Sequence, residues 1–231
     1  MSRNRRDKKR RAEAPRAVPP RPATRLMLVL PATADERLIA ALPELLAAGD
    51  VASLILWCDT LDPKALATLA GPILRAAGDA DVAALLRGDG QMVARLGFDG
   101  QHVDGPLADL LDAVERLRPD RIVGAGGVRS RHDAMEAGEA GADYVFFGDP
   151  APGAPAGNVP EQLIERVEWW QPLFEIPCVA FAPRLDLVGP LALAGADFVA
   201  LGADSLADPR GPVAVVTDAR AAIAAAFEGH A

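Results

Sequence analysis

Short aliphatic runs alternate with amphipathic segments along this chain, and the alternation constrains the fold more than any other feature. Eight apolar runs occur, at residues 26–30, 53–57, 81–86, 99–103, 121–124, 144–148, 178–181 and 198–202. Helical patterns follow them near residues 36–48, 63–77, 90–96, 107–117, 131–140, 160–172, 185–194 and 212–227. Strands alternating with helices form right-handed βαβ units and a parallel sheet. Eight units favour closure, so we predict an α/β fold, a single-domain eight-stranded parallel (β/α)8 TIM barrel over residues 26–231; an open doubly wound sheet is the alternative.

Length and composition agree with this fold. The chain has 231 residues, of which 50% are hydrophobic and only 5% aromatic, so its core must be mainly aliphatic. Such a core suits parallel strands that helices cover on both faces. Gly141 and Gly195 each follow an Ala-rich helical pattern and precede Ala-Asp and a strand. We interpret both glycines as helix stops, and we give the two aspartates no catalytic role.

The charge is divided between the N-terminal segment and the rest of the chain. Residues 1–25 hold ten Lys or Arg and two acidic residues, which leaves a net charge of −16 for residues 26–231. The segment is poor in apolar residues and rich in proline, so we predict a disordered basic tail over residues 1–25. It is either a solvated arm or a contact for an anionic partner. The acidic barrel itself is not expected to bind nucleic acid.

The remaining composition excludes several classes of protein. No apolar stretch is long enough to span a membrane, and the N-terminus lacks the apolar core of a secretory signal. Cys58 and Cys178 form neither a disulfide framework nor a metal motif. We therefore expect a cytoplasmic protein without a membrane partner, and a homodimer remains open.

Chemistry in a β/α barrel is expected in the loops after the carboxyl ends of the strands. After the fifth run the chain reads GAGGVRSRH. The backbone amides of Gly126 and Gly127 can approach an anion closely, and the following helix adds its positive end. Arg129 and Arg131 can add charge-assisted bonds to phosphate. The alternative is a tight turn with a solvated basic rim.

Two aspartates follow neighbouring strands. Asp89 and Asp104 could share Mg²⁺ through their carboxylate oxygens, or each could cap a helix or face water. His102 belongs to the fourth run, where it is either a hydrogen-bonded structural histidine or a general base.

The order of four segments resembles that of thiamine phosphate synthase and of its sister branch, the thiazole tautomerases. The segments are GDVASLILWCDTLD, LLRGDGQMVARLGFDGQHVDG, IVGAGGVRSRHDAMEAGEAGADYVFFGDP and IPCVAFAPRLDLVGPLALAGADFVALGADSL. The resemblance implies a barrel that joins a pyrimidine diphosphate to a thiazole phosphate, with Mg²⁺ and loss of pyrophosphate. It also implies a dissociative mechanism, in which the site binds phosphates and stabilises charge.

The resemblance also implies that most catalytic motif residues are replaced. The family's Q-x-R-x-K falls on Ile55, Trp57 and Asp59, and its Asn-Asp pair becomes Gly88-Asp89. The family's Ser-x-His-Ser region reads Gly127, Val128, Arg129 and Ser130, and its Thr-rich, Lys-bearing loop becomes DPAPGAPAGNVP. The I-G-G-I phosphate cradle becomes Phe181, Ala182, Pro183 and Arg184.

Three functions follow from this combination. The first is a thiamine phosphate synthase with a divergent site, in which Asp89 holds Mg²⁺ and Arg129, Ser130 and Arg184 contact phosphate. The second is a non-catalytic or regulatory barrel that binds a small phosphorylated ligand. The third is an isomerase or lyase that acts on another small phosphorylated compound.

Overall fold

The structure, a computed structural model, is a closed barrel of eight parallel strands. It describes residues 23–58, 61–151 and 160–228. Each strand pairs with its neighbour in the chain, and β8 pairs with β1 to close the ring. The strands are β1 (Arg25–Pro31), β2 (Val51–Trp57), β3 (Ala83–Arg87), β4 (Gly100–Val103), β5 (Ile122–Ala125), β6 (Tyr144–Phe147), β7 (Cys178–Ala182) and β8 (Phe198–Leu201). The predicted (β/α)8 TIM barrel is therefore confirmed.

Helices separate the strands and cover the outside of the barrel. They are α1 (Glu36–Ala48), α2 (Pro63–Asp79), α3 (Gly90–Leu96), α4 (Leu107–Leu117), α5 (Arg131–Glu139), α6 (Pro160–Trp170), α7 (Val188–Ala194), α8 (Ala203–Leu206) and α9 (Pro212–Glu228). A 3-10 turn at Leu185–Leu187 precedes α7, so the predicted helix over 185–194 is divided in two. The sequence did not predict α8, because one turn of helix is too short to give a periodic pattern.

The N-terminal side of the barrel begins before the first apolar run. Arg25 is the first residue of β1 and pairs with Asp50 across a distance of 2.7 Å. The buried Thr24 hydroxyl donates to the carbonyl of Ala196. Residues 1–22 of the predicted tail lie outside the described residues.

Asp81 changes the start of the third strand. It has φ 54, a left-handed conformation that an aspartate tolerates in a turn. The chain therefore turns at Asp81, and β3 begins two residues later than the apolar run suggested.

The repeated Gly-Ala-Asp segments are structural, as the sequence indicates. Gly141 and Gly195 have φ of 93° and 103°, the left-handed region that glycine adopts most easily. The carboxylate of Asp143 accepts a 2.8 Å hydrogen bond from the amide of Val123 in the preceding strand. Asp197 accepts an equivalent 2.8 Å bond from the amide of Cys178. Each aspartate thus fixes two neighbouring strands at the amino end of the barrel, away from the mouth.

The core forms two layers. Aliphatic side chains between strands and helices make up the outer layer. The inner layer fills the barrel and contains Met27, Val29, Ile55, Leu85, Tyr144, Phe146, Val179 and Ala200. In the described part of the chain, we find no helix with the length and apolarity needed to cross a membrane.

Candidate active site at the barrel mouth

A cavity of about 450 Å³ opens at the carboxyl ends of the strands. Loops after β4, β5 and β6 supply most of its wall, and α6 closes one side. Its lining combines aromatic rings, two arginines and two aspartates; it consists of Trp57, His102, Asp104, Gly127, Val128, Arg129, Phe146, Gly148, Asp149, Pro150 and Arg166. The cavity therefore lies where a β/α barrel places its chemistry.

His102 on β4 points into the barrel and is 2% exposed. Its Nδ1 lies 2.9 Å from the hydroxyl of Tyr144, and its ring lies 5.5 Å from Trp57 and 5.2 Å from Phe146, between ring centroids. Among the described residues, no group makes a hydrogen bond to His102 Nε2. Only one of the two ring nitrogens thus has a hydrogen-bond partner, and an unsatisfied buried polar atom costs about 1–3 kcal/mol.

The interior of the barrel keeps both partners of this hydrogen bond neutral. Burial, followed by the positive charge of Arg87, lowers the pKa of His102 to about 3. Burial, followed by the negative charge of Asp143, raises the pKa of Tyr144 above its ordinary value. At neutral pH, His102 can therefore donate or accept one hydrogen bond, but it is too weak a base to hold a proton.

Two glycines allow the loop after β5 to approach His102 and Asp104. A Cβ on Gly126 would lie 2.4 Å from His102 Nε2. A Cβ on Gly127 would lie 2.6 Å from the Asp104 carbonyl oxygen, and the φ of Gly127 is +65°. The absence of a side chain at these two positions therefore allows close packing at the mouth, in addition to any role in ligand binding.

Arg87 and Asp104 form an ion pair beside the cavity, between the ends of β3 and β4. The guanidinium donates two 3.0 Å hydrogen bonds, one to each carboxylate oxygen. It also lies 4.8 Å from the ring centroid of Trp57, in a cation–π contact. Both charged side chains are three-quarters or more buried, so the pair is screened less than a surface pair.

The amides of the loop after β5 are partly used by the protein itself. The amide of Gly126 donates to Val103, continuing the β4–β5 ladder. The amides of Arg129 and Ser130 donate to the Asp133 carboxylate at 3.0 and 2.9 Å. Within residues 23–58, 61–151 and 160–228, the amides of Gly127 and Val128 have no partner. An anion would therefore meet these two amides rather than a complete ring of donors.

Asp133 and Ser130 form the N-terminal cap of α5. The Ser130 hydroxyl accepts a 3.1 Å bond from the Asp133 amide. Hydrogen bonding by the Ser130 side chain, helped by the backbone amides of Arg129 and Ser130, lowers the pKa of Asp133. Ser130 thus has a structural task, and its predicted phosphate contact stays a prediction.

The predicted phosphate-binding residues do not all meet. Gly127 and Arg129 line the cavity, and Gly126 packs behind it against His102. Arg184, after β7, is absent from the lining and pairs with Asp186 through bonds of 3.0 and 2.8 Å. This pair is about two-thirds exposed.

The two predicted metal ligands have different surroundings. Asp89 is exposed, and its Oδ1 caps α3 by accepting the Gln91 amide at 2.9 Å. Asp104 is already paired with Arg87. No group of three or more His, Cys, Asp or Glu side chains in the described ranges could hold a metal ion. Asp59, which the family resemblance aligns with a phosphate-binding position, lies outside the described residues.

Sequence reasoning gave no role to Arg87 or Arg166. The position of Arg87 after a strand was a usable signal, because its neighbour Asp104 follows the next strand. Arg166 gave no signal, since an arginine within an amphipathic helix is usually a solvated surface residue. Only the packing of α6 against the mouth brings it to the cavity.

Comparison with known proteins places this chain in a family. The model of the thiamine monophosphate synthase family matches residues 26–204. A thiamine-phosphate synthase of Hyphomonas neptunium is 37% identical over 205 residues, which cover 85% of this chain and 92% of that protein. The corresponding protein of Rhodospirillum centenum is 38% identical over 197 residues, which cover 84% and 95%.

A solved structure supports the fold. Thiamine phosphate pyrophosphorylase from Pyrococcus furiosus matches 87% of this chain and 96% of its own, with a TM-score of 0.70 and 20% sequence identity. At that identity the likeness concerns the barrel alone. The family model and the two curated relatives span nearly the whole barrel, and on these grounds the chain belongs to the thiamine monophosphate synthase family.

Proposed function

We propose that this chain is a thiamine-phosphate synthase with a divergent site, which joins a pyrimidine diphosphate to a thiazole phosphate and releases pyrophosphate. The observation that carries the proposal is the lining of the mouth cavity. Trp57 and Phe146 supply rings, while Arg129 supplies a cation beside the unpartnered amides of Gly127 and Val128. A flat heteroaromatic ring that carries phosphate groups is complementary to such a wall.

The proposed reaction requires charge stabilisation more than proton transfer. When the carbon–oxygen bond to the diphosphate breaks, pyrophosphate leaves with the electron pair, and positive charge grows on the pyrimidine. Arg129 and the two loop amides would stabilise the leaving group. The rings of Trp57 and Phe146 would favour the electron-poor carbon through their π electrons. A neutral His102 fits this mechanism, since it adds no positive charge near the developing cation.

Magnesium would enter with the diphosphate. Mg²⁺ usually keeps several waters and binds one or two carboxylates together with substrate phosphates. Asp89 fits this role because one of its oxygens caps α3, and its other oxygen has no partner in the part of the chain that the structure describes. Asp104 would first have to release Arg87. When bound, the ion would neutralise charge on the phosphate oxygens.

A second candidate is a non-catalytic barrel that binds a small phosphorylated ligand. The observation that favours it is the loop after β7, where Pro183 offers no amide donor and Arg184 is held by Asp186. An isomerase or lyase for another small phosphorylated compound is the remaining alternative.

Incubation of the full chain with both substrates and Mg²⁺ separates these functions. A synthase forms thiamine phosphate and pyrophosphate in equal amounts, which chromatography and a pyrophosphatase-coupled phosphate assay measure. A non-catalytic barrel shows a higher melting temperature with thiazole phosphate but no product. Failure to form product, together with failure to restore growth of a synthase-deficient strain, would contradict the proposed synthase.

Arg129→Ala provides a second test of the site. Loss of one charge-assisted bond should weaken pyrophosphate binding by about 1–3 kcal/mol. Unchanged binding would remove Arg129 from the site.

The remaining proposals concern the location of the protein in the cell and its partners. We propose a cytoplasmic location, a homodimer, and no nucleic-acid or membrane partner. The net charge of −16 over residues 26–231 supports the statement on nucleic acid. Light scattering tests the dimer directly.

A further inference from the structure

Arg166 connects α6 to the loop after β5. Its guanidinium donates a 3.2 Å hydrogen bond to the carbonyl of Val128 and a 2.6 Å bond to the carbonyl of Arg129. Arg166 lies in the middle of α6, which is anchored by the buried side chains of Leu163, Val167 and Trp170. One side chain thus ties two consecutive loop carbonyls to a firmly packed helix.

These bonds have a consequence for the amides of the same loop. With the carbonyls of Val128 and Arg129 engaged by Arg166, this part of the loop is held in one conformation. The amides of Gly127 and Val128, which belong to residues lining the cavity, remain without a partner among the described residues. Fixed donors bind an anion better than mobile ones, because their ordering has no cost at the moment of binding.

Arg166 also adds charge. A guanidinium has five N–H donors, and the two bonds to the loop leave others for a ligand. Arg166 and Arg129 both line the cavity, and neither forms a salt bridge within the described ranges. The carboxylates in the lining are Asp104, which pairs with Arg87, and Asp149, which accepts the Ala151 amide at 2.9 Å. Beside the loop, the Asp133 carboxylate is hydrogen-bonded to the amides of Arg129 and Ser130. The corner of the cavity next to α6 therefore favours an anion.

We propose that Arg166 and Arg129 form a two-arginine site for a diphosphate group, and that Arg166 is also the positioning residue of the loop after β5. The inference rests on the proposed function and deepens it, by naming the cations that bind the leaving group. Guanidinium groups suit this task because they bind phosphate oxygens in a bidentate manner.

The test is titration calorimetry of the full chain with inorganic pyrophosphate. Arg166→Gln should weaken binding roughly tenfold to a hundredfold, the effect of losing a charge-assisted bond. Arg166→Lys should recover only part of the loss, because one ammonium keeps the charge but cannot bridge two carbonyls in the same way. Arg220→Gln, on the exposed side of α9, is the matched control and should bind like the wild type.

Two further measurements test the positioning role. The fold-loss of pyrophosphate affinity in the Arg129→Gln, Arg166→Gln double variant should be smaller than the product of the two single fold-losses, because both residues act on one loop. Pyrophosphate should shift the amide NMR signals of Gly127 and Val128 in the wild type and much less in Arg166→Gln. Melting temperatures verify that each variant is folded, and Arg166→Lys replaces Arg166→Gln in these measurements if the latter unfolds.

The outcomes separate this inference from the proposed function. Synthase activity of the wild type, with equal pyrophosphate affinity in Arg166→Gln and Arg220→Gln, would keep the function and overturn the two-arginine site. Arg166-dependent pyrophosphate binding without any product would support the site and reject the synthase. A wild-type chain that does not bind pyrophosphate would overturn the inference outright.

Discussion

The burial of His102 makes the stability of the barrel depend on pH in a calculable way. In the unfolded chain the histidine titrates near 6.5, whereas in the folded barrel its pKa is about 3. Between these values the unfolded state binds one more proton than the folded state, so the free energy of unfolding rises with pH. The stabilisation is complete above pH 6.5 and is lost progressively as the pH falls toward 3.

The size of the effect follows from the same shift. At pH 7.5 the histidine is neutral in both states, and at pH 5 it is protonated in the unfolded chain only. Each pH unit below the pKa of the unfolded histidine lowers the free energy of unfolding by about 1.4 kcal/mol. The wild type should therefore lose about 2 kcal/mol of stability between pH 7.5 and 5, relative to a variant that cannot titrate at this position.

Urea unfolding at the two pH values measures this difference. His102→Gln keeps a hydrogen-bonding side chain without a titrating group, so its own loss of stability should be about 2 kcal/mol smaller. His132→Gln is the control, because the His132 side chain is 77% exposed. Equal pH dependence in the wild type and His102→Gln would refute a neutral, buried His102.

Three further substitutions test the mouth. Gly127→Ala should destabilise the barrel more than Gly97→Ala. Both glycines have positive φ, where an alanine costs about 1–2 kcal/mol, but a Cβ at Gly127 meets a backbone oxygen whereas Gly97 faces open space. Urea unfolding that ranks them equally would contradict the close approach. Arg87→Met should cost about 1–3 kcal/mol, whereas Arg184→Met should leave the free energy of unfolding nearly unchanged, since the first ion pair is mostly buried and the second mostly exposed. Similar unfolding energies for both would show that the pair beside the cavity contributes little. Asp133→Ala should lower stability by about 1 kcal/mol through the lost cap, yet strengthen pyrophosphate binding several-fold, because it removes a carboxylate and releases two amides. Weaker binding in calorimetry would place the anion elsewhere.

The family's phosphate-binding pattern shows why residue types alone could not define the site. The resemblance aligns Trp57 with a cation position, which suggests a loss of function at β2. In the folded barrel Trp57 lies 4.8 Å from the guanidinium of Arg87, which comes from the next strand. A cation is thus present near this wall, although a different strand carries it.

The sequence by itself determined the barrel. Strand and helix periods are local properties of the chain, and eight repeats of them favour closure into a ring over an open sheet. The same local rules identified Gly141 and Gly195 as helix stops and placed Gly127 and Arg129 in a loop at the mouth.

Only the tertiary structure decided which groups share that mouth. Arg166 lies 37 residues after Arg129, yet its guanidinium holds the carbonyl of Arg129. No role was predicted for Asp133, yet its carboxylate accepts hydrogen bonds from two loop amides. Such contacts depend on how helices pack against the barrel and on which donors are already paired. Those are properties of three-dimensional neighbours, and no spacing along the chain encodes them.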